Sequence, residues 1–132
     1  SALKSNGIQI TGKPSVLRDK NNVSPTASRE QIAVILSPPL KDIIYRLNKR
    51  SVNLYAEQLL KIIGKKINNR GSTNAGIKAI KTWLKENGID TDGLLLYDGS
   101  GLSRSNAVTT EMMVRLLAYM THRPTFESFY NS

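Results

Sequence analysis

The chain of 132 residues has no cysteine and a single histidine, His122. Without thiols it can form neither a disulfide framework nor a thiolate zinc site. A lone imidazole would leave a metal to carboxylates alone, so no metal and no cofactor is expected, and His122 reads as a surface or helix-end residue. No apolar run approaches the roughly 20 residues of a membrane span, and no signal peptide opens the chain. Asp98-Gly99-Ser100-Gly101 has the glycines of a phosphate cradle, but no Gly-Lys-Ser/Thr follows and no G-x-G-x-x-G is completed. Its plain reading is a tight strand-to-helix connection that uses glycine for positive φ. Acidic residues are also scarce, with 10 Asp and Glu against 19 Lys and Arg, a net charge of +9.

What is present suits one domain, long enough to bury about two-thirds of its unfolded surface. Ile8 to Ile10 and Gln31 to Leu36 are predicted as short strands, the second holding the apolar run Ala33-Val34-Ile35-Leu36. Lys13 to Ser28, rich in Ser, Asn and Pro, reads as a loop, and the sequon Asn22-Val23-Ser24 lies within it. After Pro38 and Pro39, Leu40, Ile43, Ile44 and Leu47 fall at i, i+3, i+4 and i+7, predicting a helix. A second helix carries Leu59, Leu60, Ile62 and Ile63, with Gly64 placed as its C-cap.

A third helix is predicted over 73–87, stopped by Gly88, and Leu94 to Tyr97 as a short buried strand. Thr109 or Thr110 caps a fourth helix, where Glu111 complements the helix dipole and Met112, Met113, Leu116, Leu117 and Met120 form a core-facing stripe rather than a soft-metal site. Pro124 ends it. The fold class is α+β and predominantly helical, with short strands and loop over 1–37 leading into a helical part over 38–132.

Between the first two helices stands Ser51-Val52-Asn53. In a locally extended connection, residues i and i+2 project to the same side, so the Ser51 hydroxyl and the Asn53 carboxamide would face one cleft. A second triplet of the same form, Ser72-Thr73-Asn74, follows Gly71 and precedes an apolar helix, which is ordinary N-capping.

Ser37-Pro38-Pro39-Leu40, the run Asn53 to Leu60 and Asp98-Gly99-Ser100-Gly101-Leu102-Ser103-Arg104 together resemble the D-alanyl-D-alanine carboxypeptidase/endopeptidase family of penicillin-binding proteins, the class C type. The likeness covers nearly the whole chain. It implies the helical part, with a few short strands, of a penicillin-binding, serine β-lactamase-like transpeptidase fold. That family works with Ser-x-x-Lys, Ser-x-Asn and Lys-Thr-Gly, the first serine being acylated. Here Ser1-Ala2-Leu3-Lys4 sits at the chain end, where the family does not place its nucleophile, and Lys81-Thr82 is followed by Trp83. The chain is therefore expected to be a central fragment, inactive alone, of an exported enzyme of the periplasm or cell envelope.

The resemblance implies acyl transfer on peptidoglycan stem peptides, followed by hydrolysis, with β-lactams acylating the full-length enzyme. Ser51 is similar in position to the serine that relays a proton to the leaving group, and Asn53 to the asparagine that hydrogen-bonds the substrate amide. Val52 stands where relatives often carry a polar residue. Ser100, Ser103 and Arg104 are the candidate substrate-binding residues. Arg104 would read an acidic group on the stem peptide, its planar donors matching a carboxylate. The plainer alternative pairs it with Asp98 or Glu111 at the surface.

The positive charge supports a competing reading, a small basic helical module that binds nucleic acid. The charges are scattered, however. Lys41, Arg46, Lys49 and Arg50 mark one helix, Lys61, Lys65, Lys66 and Arg70 another, and Lys78, Lys81 and Lys85 a third, each mostly opposite an apolar stripe, as on a solvated face. Nucleic acid is not the expected partner. A non-catalytic wall-binding domain of the same fold is a third reading.

Overall fold

The computed structural model describes residues 33–132 together with Ser5, Gly7 and Gln9. The chain divides into two units, 1–36 and 37–132. Within the first, Ile8 and Ile10 of one predicted strand, Gln31 and Ile32 of the other, the Lys13 to Ser28 loop with its sequon and the Ser1 to Lys4 segment lie outside the described residues. Ala33 to Leu36 are described and do not form the predicted strand. They have no regular structure, and Ile35 is 96% exposed. An extended segment becomes a strand only through a partner's hydrogen bonds, and among the described residues none is provided.

The second unit is helical. Its first helix, α1 (Leu40–Arg50), starts behind Pro39, whose carbonyl accepts from the amides of Asp42 and Ile43. Asp42 in the first turn and Lys49 and Arg50 in the last complement the helix dipole. Ile43, Ile44 and Leu47 form its half-buried stripe, as the periodicity predicts, whereas Leu40, the first residue of the predicted stripe, is exposed at the helix start.

The second helix, α2 (Asn53–Asn68), does not stop at Gly64. Gly64 is buried inside it, and a Cβ there would lie 2.6 Å from the Gly76 nitrogen. The glycine serves a helix crossing, not a helix end. Close packing outweighs the roughly 1 kcal/mol that a mid-helix glycine costs relative to alanine. The helix ends instead at Asn69, in the left-handed region that asparagine tolerates.

The third helix, α3 (Thr73–Glu86), packs closely on α2. The Ser72 side chain accepts from the Ala75 amide at 3.3 Å, so Ser72-Thr73-Asn74 is the N-cap its sequence predicts. Gly88, at φ 72°, ends it. The predicted strand over Leu94 to Tyr97 reduces to one antiparallel bridge, Leu95 to Ala107, with both amide bonds at 2.9 Å. Leu94 is 4% exposed and Leu95 48%, so the segment alternates between core and solvent and is not buried throughout.

Thr109 caps the fourth helix, α4 (Thr110–Thr121), accepting from the Met112 amide at 3.1 Å. Met112 joins Leu84, Ile89 and Leu94 in the core, with Ile80, Leu96, Leu116 and Tyr119 packed around it. Met113 and Leu117 are exposed, so the predicted apolar face is narrower than its sequence stripe. His122 is the exposed C-cap of α4, a helix-end histidine as its sequence predicts. A last short helix, α5 (Phe126–Asn131), follows Pro124. Among the described residues no group of His, Asp or Glu is placed to hold a metal, and no helix is long and apolar enough to cross a membrane.

Candidate functional site

Two residues join α1 to α2. Ser51 adopts φ 50°, ψ 52°, in the left-handed region, and Val52 adopts φ −83°, ψ 90°. The locally extended connection expected from the sequence is thus replaced by a turn at Ser51. The cause is the end of α1, where the Val52 amide donates back to the Leu47 carbonyl at 3.1 Å, a closure that calls for a left-handed residue between them. Glycine or asparagine fits that conformation readily, whereas for other residues it costs roughly 1–2 kcal/mol. A serine in a strained position is a functional candidate on physical grounds.

Asn53 is the first residue of α2, and the N-cap, Val52, makes no side-chain cap bond. Neither polar side chain of the triplet is spent on capping. The positive end of α2 opens beside them, a local field that favours negative charge.

The facing wall is the 98–101 loop. Asn53, Ala56, Glu57 and Leu60 stand at i, i+3, i+4 and i+7 on one stripe of α2. Gly99 lies against that stripe so closely that a Cβ would come 2.7 Å from the Ala56 carbonyl oxygen and 3.2 Å from the Leu60 Cβ. Only glycine admits this approach. The amides of Gly99 and Ser100 both donate to Glu57 Oε1, at 2.9 and 3.0 Å. The result is a cleft of about 290 Å³ lined by Asn48, Ser51, Asn53, Ala56, Gly99 and Ser100, among others.

Asp98 sets the shape of the loop from within. Its Oδ1 accepts from the Gly101 amide at 2.7 Å and from Asn106 Nδ2 at 2.9 Å, and its Oδ2 from the Ser103 amide at 2.6 Å. Asn106 also accepts from the Tyr97 amide through Oδ1 at 2.8 Å, fastening both ends of the turn. The Asn106 bond, with those from Ser103 and Gly101, holds the Asp98 carboxyl below its ordinary value of 3.8 against the opposing effect of partial burial.

Ser51, Asn53 and Ser100 therefore meet in one cleft, whereas Ser103 and Arg104 do not line it. The Ser103 oxygen accepts from the Ser105 amide at 3.3 Å, a local turn contact. Arg104 is exposed. The surface pairs considered for it are engaged elsewhere: Glu111 binds Arg115 at 2.8 Å, and the Asp98 oxygens are held within the loop. Glu57 and Asn106 were not legible as parts of the site. The available clue was the i, i+4 spacing of Asn53 and Glu57.

The model of the D-Ala-D-Ala carboxypeptidase 3 (S13) family matches residues 1–132. A D-alanyl-D-alanine carboxypeptidase of Actinomadura sp. is 36% identical over 123 residues, 93% of this chain and 22% of that protein. The D-alanyl-D-alanine carboxypeptidase DacB of Haemophilus influenzae is 36% identical over 90 residues, 67% of this chain and 19% of the relative. A carboxypeptidase DacB of Mycolicibacterium smegmatis is 33% identical over 78 residues, 59% of this chain and 17% of its own length. The chain spans about a fifth of the length of these curated relatives. It belongs to the D-Ala-D-Ala carboxypeptidase 3 family. That membership lends no support to the nucleic-acid reading of its charge.

Proposed function

We propose that this chain is the central part of a serine D-alanyl-D-alanine carboxypeptidase of the class C penicillin-binding type, and that it contributes the Ser-x-Asn motif as Ser51-Val52-Asn53. The observation that carries the reading is the cleft in which Ser51, Asn53 and Ser100 converge although 49 positions separate the outer two in sequence (100 − 51 = 49). Substrate would be the D-alanyl-D-alanine end of a peptidoglycan stem peptide, which implies an exported protein of the cell envelope.

In this mechanism a serine of a Ser-x-x-Lys motif elsewhere in the polypeptide attacks the terminal peptide carbonyl. Its hydroxyl proton passes to a neighbouring base, the C–N bond breaks and D-alanine leaves. Ser51 delivers a proton to that leaving amine. Asn53 hydrogen-bonds the substrate amide and fixes the reacting carbonyl, where misplacement is costly in rate. Water then hydrolyses the acyl-enzyme, and β-lactams arrest the cycle at the same acyl stage. Arg104, exposed on the segment that follows the 98–101 loop, would read an acidic group of the stem peptide. Ser100 and Ser103 are assigned to substrate binding, Ser100 directly from the cleft wall.

Two open apolar grooves support the reading of a part within a larger domain. One, of about 670 Å³, is lined by Ile63, Ile67, Trp83, Val108, Met113 and Leu116 and their neighbours. The other, of about 520 Å³, is lined by Ile43, Leu54, Tyr55, Leu59 and Ile62 and theirs. The test is intact-mass analysis with a labelled penicillin. The full-length protein should gain one adduct and the 132-residue chain none, and an adduct on any serine of the isolated chain would refute the assignment of the nucleophile outside it.

A further inference from the structure

Two carboxylates hold the 98–101 loop, and they do different work. Every partner of Asp98 in the described structure lies within the loop or its far end, at Gly101, Ser103 and Asn106, so Asp98 determines the shape of the turn and not its place. Glu57 belongs to another element. Its two donors, the amides of Gly99 and Ser100, lie 42 and 43 positions away and converge on a single oxygen. The contact of Gly99 with Ala56 brings the loop close but has no directionality, whereas a carboxylate accepting two backbone amides has both direction and roughly twice the strength of a neutral pair.

Glu57 also stands one turn after Asn53 on the same face of α2. A helix turn advances about 5.4 Å and is stiff, so the carboxylate acts as a fixed spacer between the polar end of the cleft and its opposite wall. We propose that Glu57 is a positioning residue of the site: its carboxylate clamps the Gly99-Ser100 backbone onto α2 and so sets the gap between Ser100 and the Ser51-Asn53 pair in which substrate is held. The inference rests on the proposed function of that cleft. Glu57 touches no substrate in this account and takes no part in proton transfer.

The experiment compares Glu57→Ala, Glu57→Gln and Ser51→Ala in the full-length enzyme. The readouts are the second-order rate of acylation by a labelled penicillin and hydrogen exchange of the peptide spanning 98–101, followed by mass spectrometry. Glu57→Ala should slow acylation by about 100-fold, the effect of roughly an ångström of misplacement, and speed exchange in the loop. Glu57→Gln keeps an oxygen acceptor at the same place and should recover at least about half of the lost rate on a logarithmic scale, with exchange near the parent's. If Glu57→Ala loosens the loop but acylates normally while Ser51→Ala is crippled, Glu57 is structural only; the inference fails and the proposed function stands. Equal loss in the alanine and glutamine variants would replace positioning with a need for charge and overturn it. Parental acylation by Ser51→Ala would sink the proposed function and this inference together.

Discussion

Gly64 and Gly76 meet backbone to backbone where α2 crosses α3. A Cβ on Gly64 would fall 2.6 Å from the Gly76 nitrogen, and one on Gly76 would fall 2.1 Å from the Leu60 carbonyl oxygen. Leu60 shares its α2 stripe with Asn53 and Glu57, so the crossing fixes the helix that brings Asn53 and Ala56 to the cleft.

Gly76→Ala is therefore expected to destabilise the protein by about 1–3 kcal/mol through overpacking, even though alanine is the better helix former. Chemical denaturation of the parent and the variant measures this. A stability gain near 1 kcal/mol, the propensity effect alone, would mean that the crossing yields easily.

The helices α1 to α4 were legible because their apolar periodicity and punctuation agree, whereas the short α5 beyond Pro124 was not predicted. Ser72 and Thr109 cap, Gly88 stops, and the stripe of Ile43, Ile44 and Leu47 faces inward. Gly64 misled because a glycine after an apolar run has two meanings, helix end or helix crossing, and the second depends on a partner 12 positions away (76 − 64 = 12). The strand predicted over Gln31 to Leu36, in its described part Ala33 to Leu36, and the one over Leu94 to Tyr97 failed for a related reason. Apolar runs report burial potential, but a strand needs a neighbour, and Leu95 finds only one bridging residue, Ala107, among the described residues. In the candidate site, Ser51 and Asn53 were expected to face one cleft, but what brings Ser100 to them was not visible. Their meeting depends on Glu57 and on the missing side chain of Gly99.

Ser51→Gly separates the strain at the turn from the chemistry of its hydroxyl. Glycine accepts the left-handed conformation, so this variant should be more stable than the parent by about 1 kcal/mol. The full-length enzyme should at the same time lose most of its acylation. A destabilised Ser51→Gly protein would show that the hydroxyl has a structural role.

Asp98 sets an acid limit. Its carboxyl in the folded protein lies below the ordinary 3.8, so the stability it contributes is fully present above that value and is lost as the pH falls through the lower, folded-state value. Asp98→Asn should be less stable than the parent at neutral pH, and the difference should shrink on acidification below 3.8. Denaturation midpoints from neutral pH into this acid range provide the check. A gap that stays constant with pH would assign the effect to shape rather than charge.

Arg104 can be tested on two stem-peptide substrates, one with a free acidic side chain and one with that group amidated. Arg104→Ala in the full-length enzyme should lower kcat/KM on the acidic substrate by about tenfold or more, in line with loss of a charge-assisted pair, and leave the amidated substrate nearly unaffected. Equal losses on both, or none, would leave Arg104 as a surface residue.

The central claim is that Ser51 and Asn53 act on substrate rather than hold the fold together. The most direct measurement pairs acylation rate with thermal stability for Ser51→Ala and Asn53→Ala in the full-length enzyme. Both variants should acylate at least about 100-fold more slowly than the parent while staying within about 1–2 kcal/mol of its stability, the range of substitutions outside a core. Parental acylation rates with much earlier melting would contradict the assignment and leave the triplet as a helix junction alone.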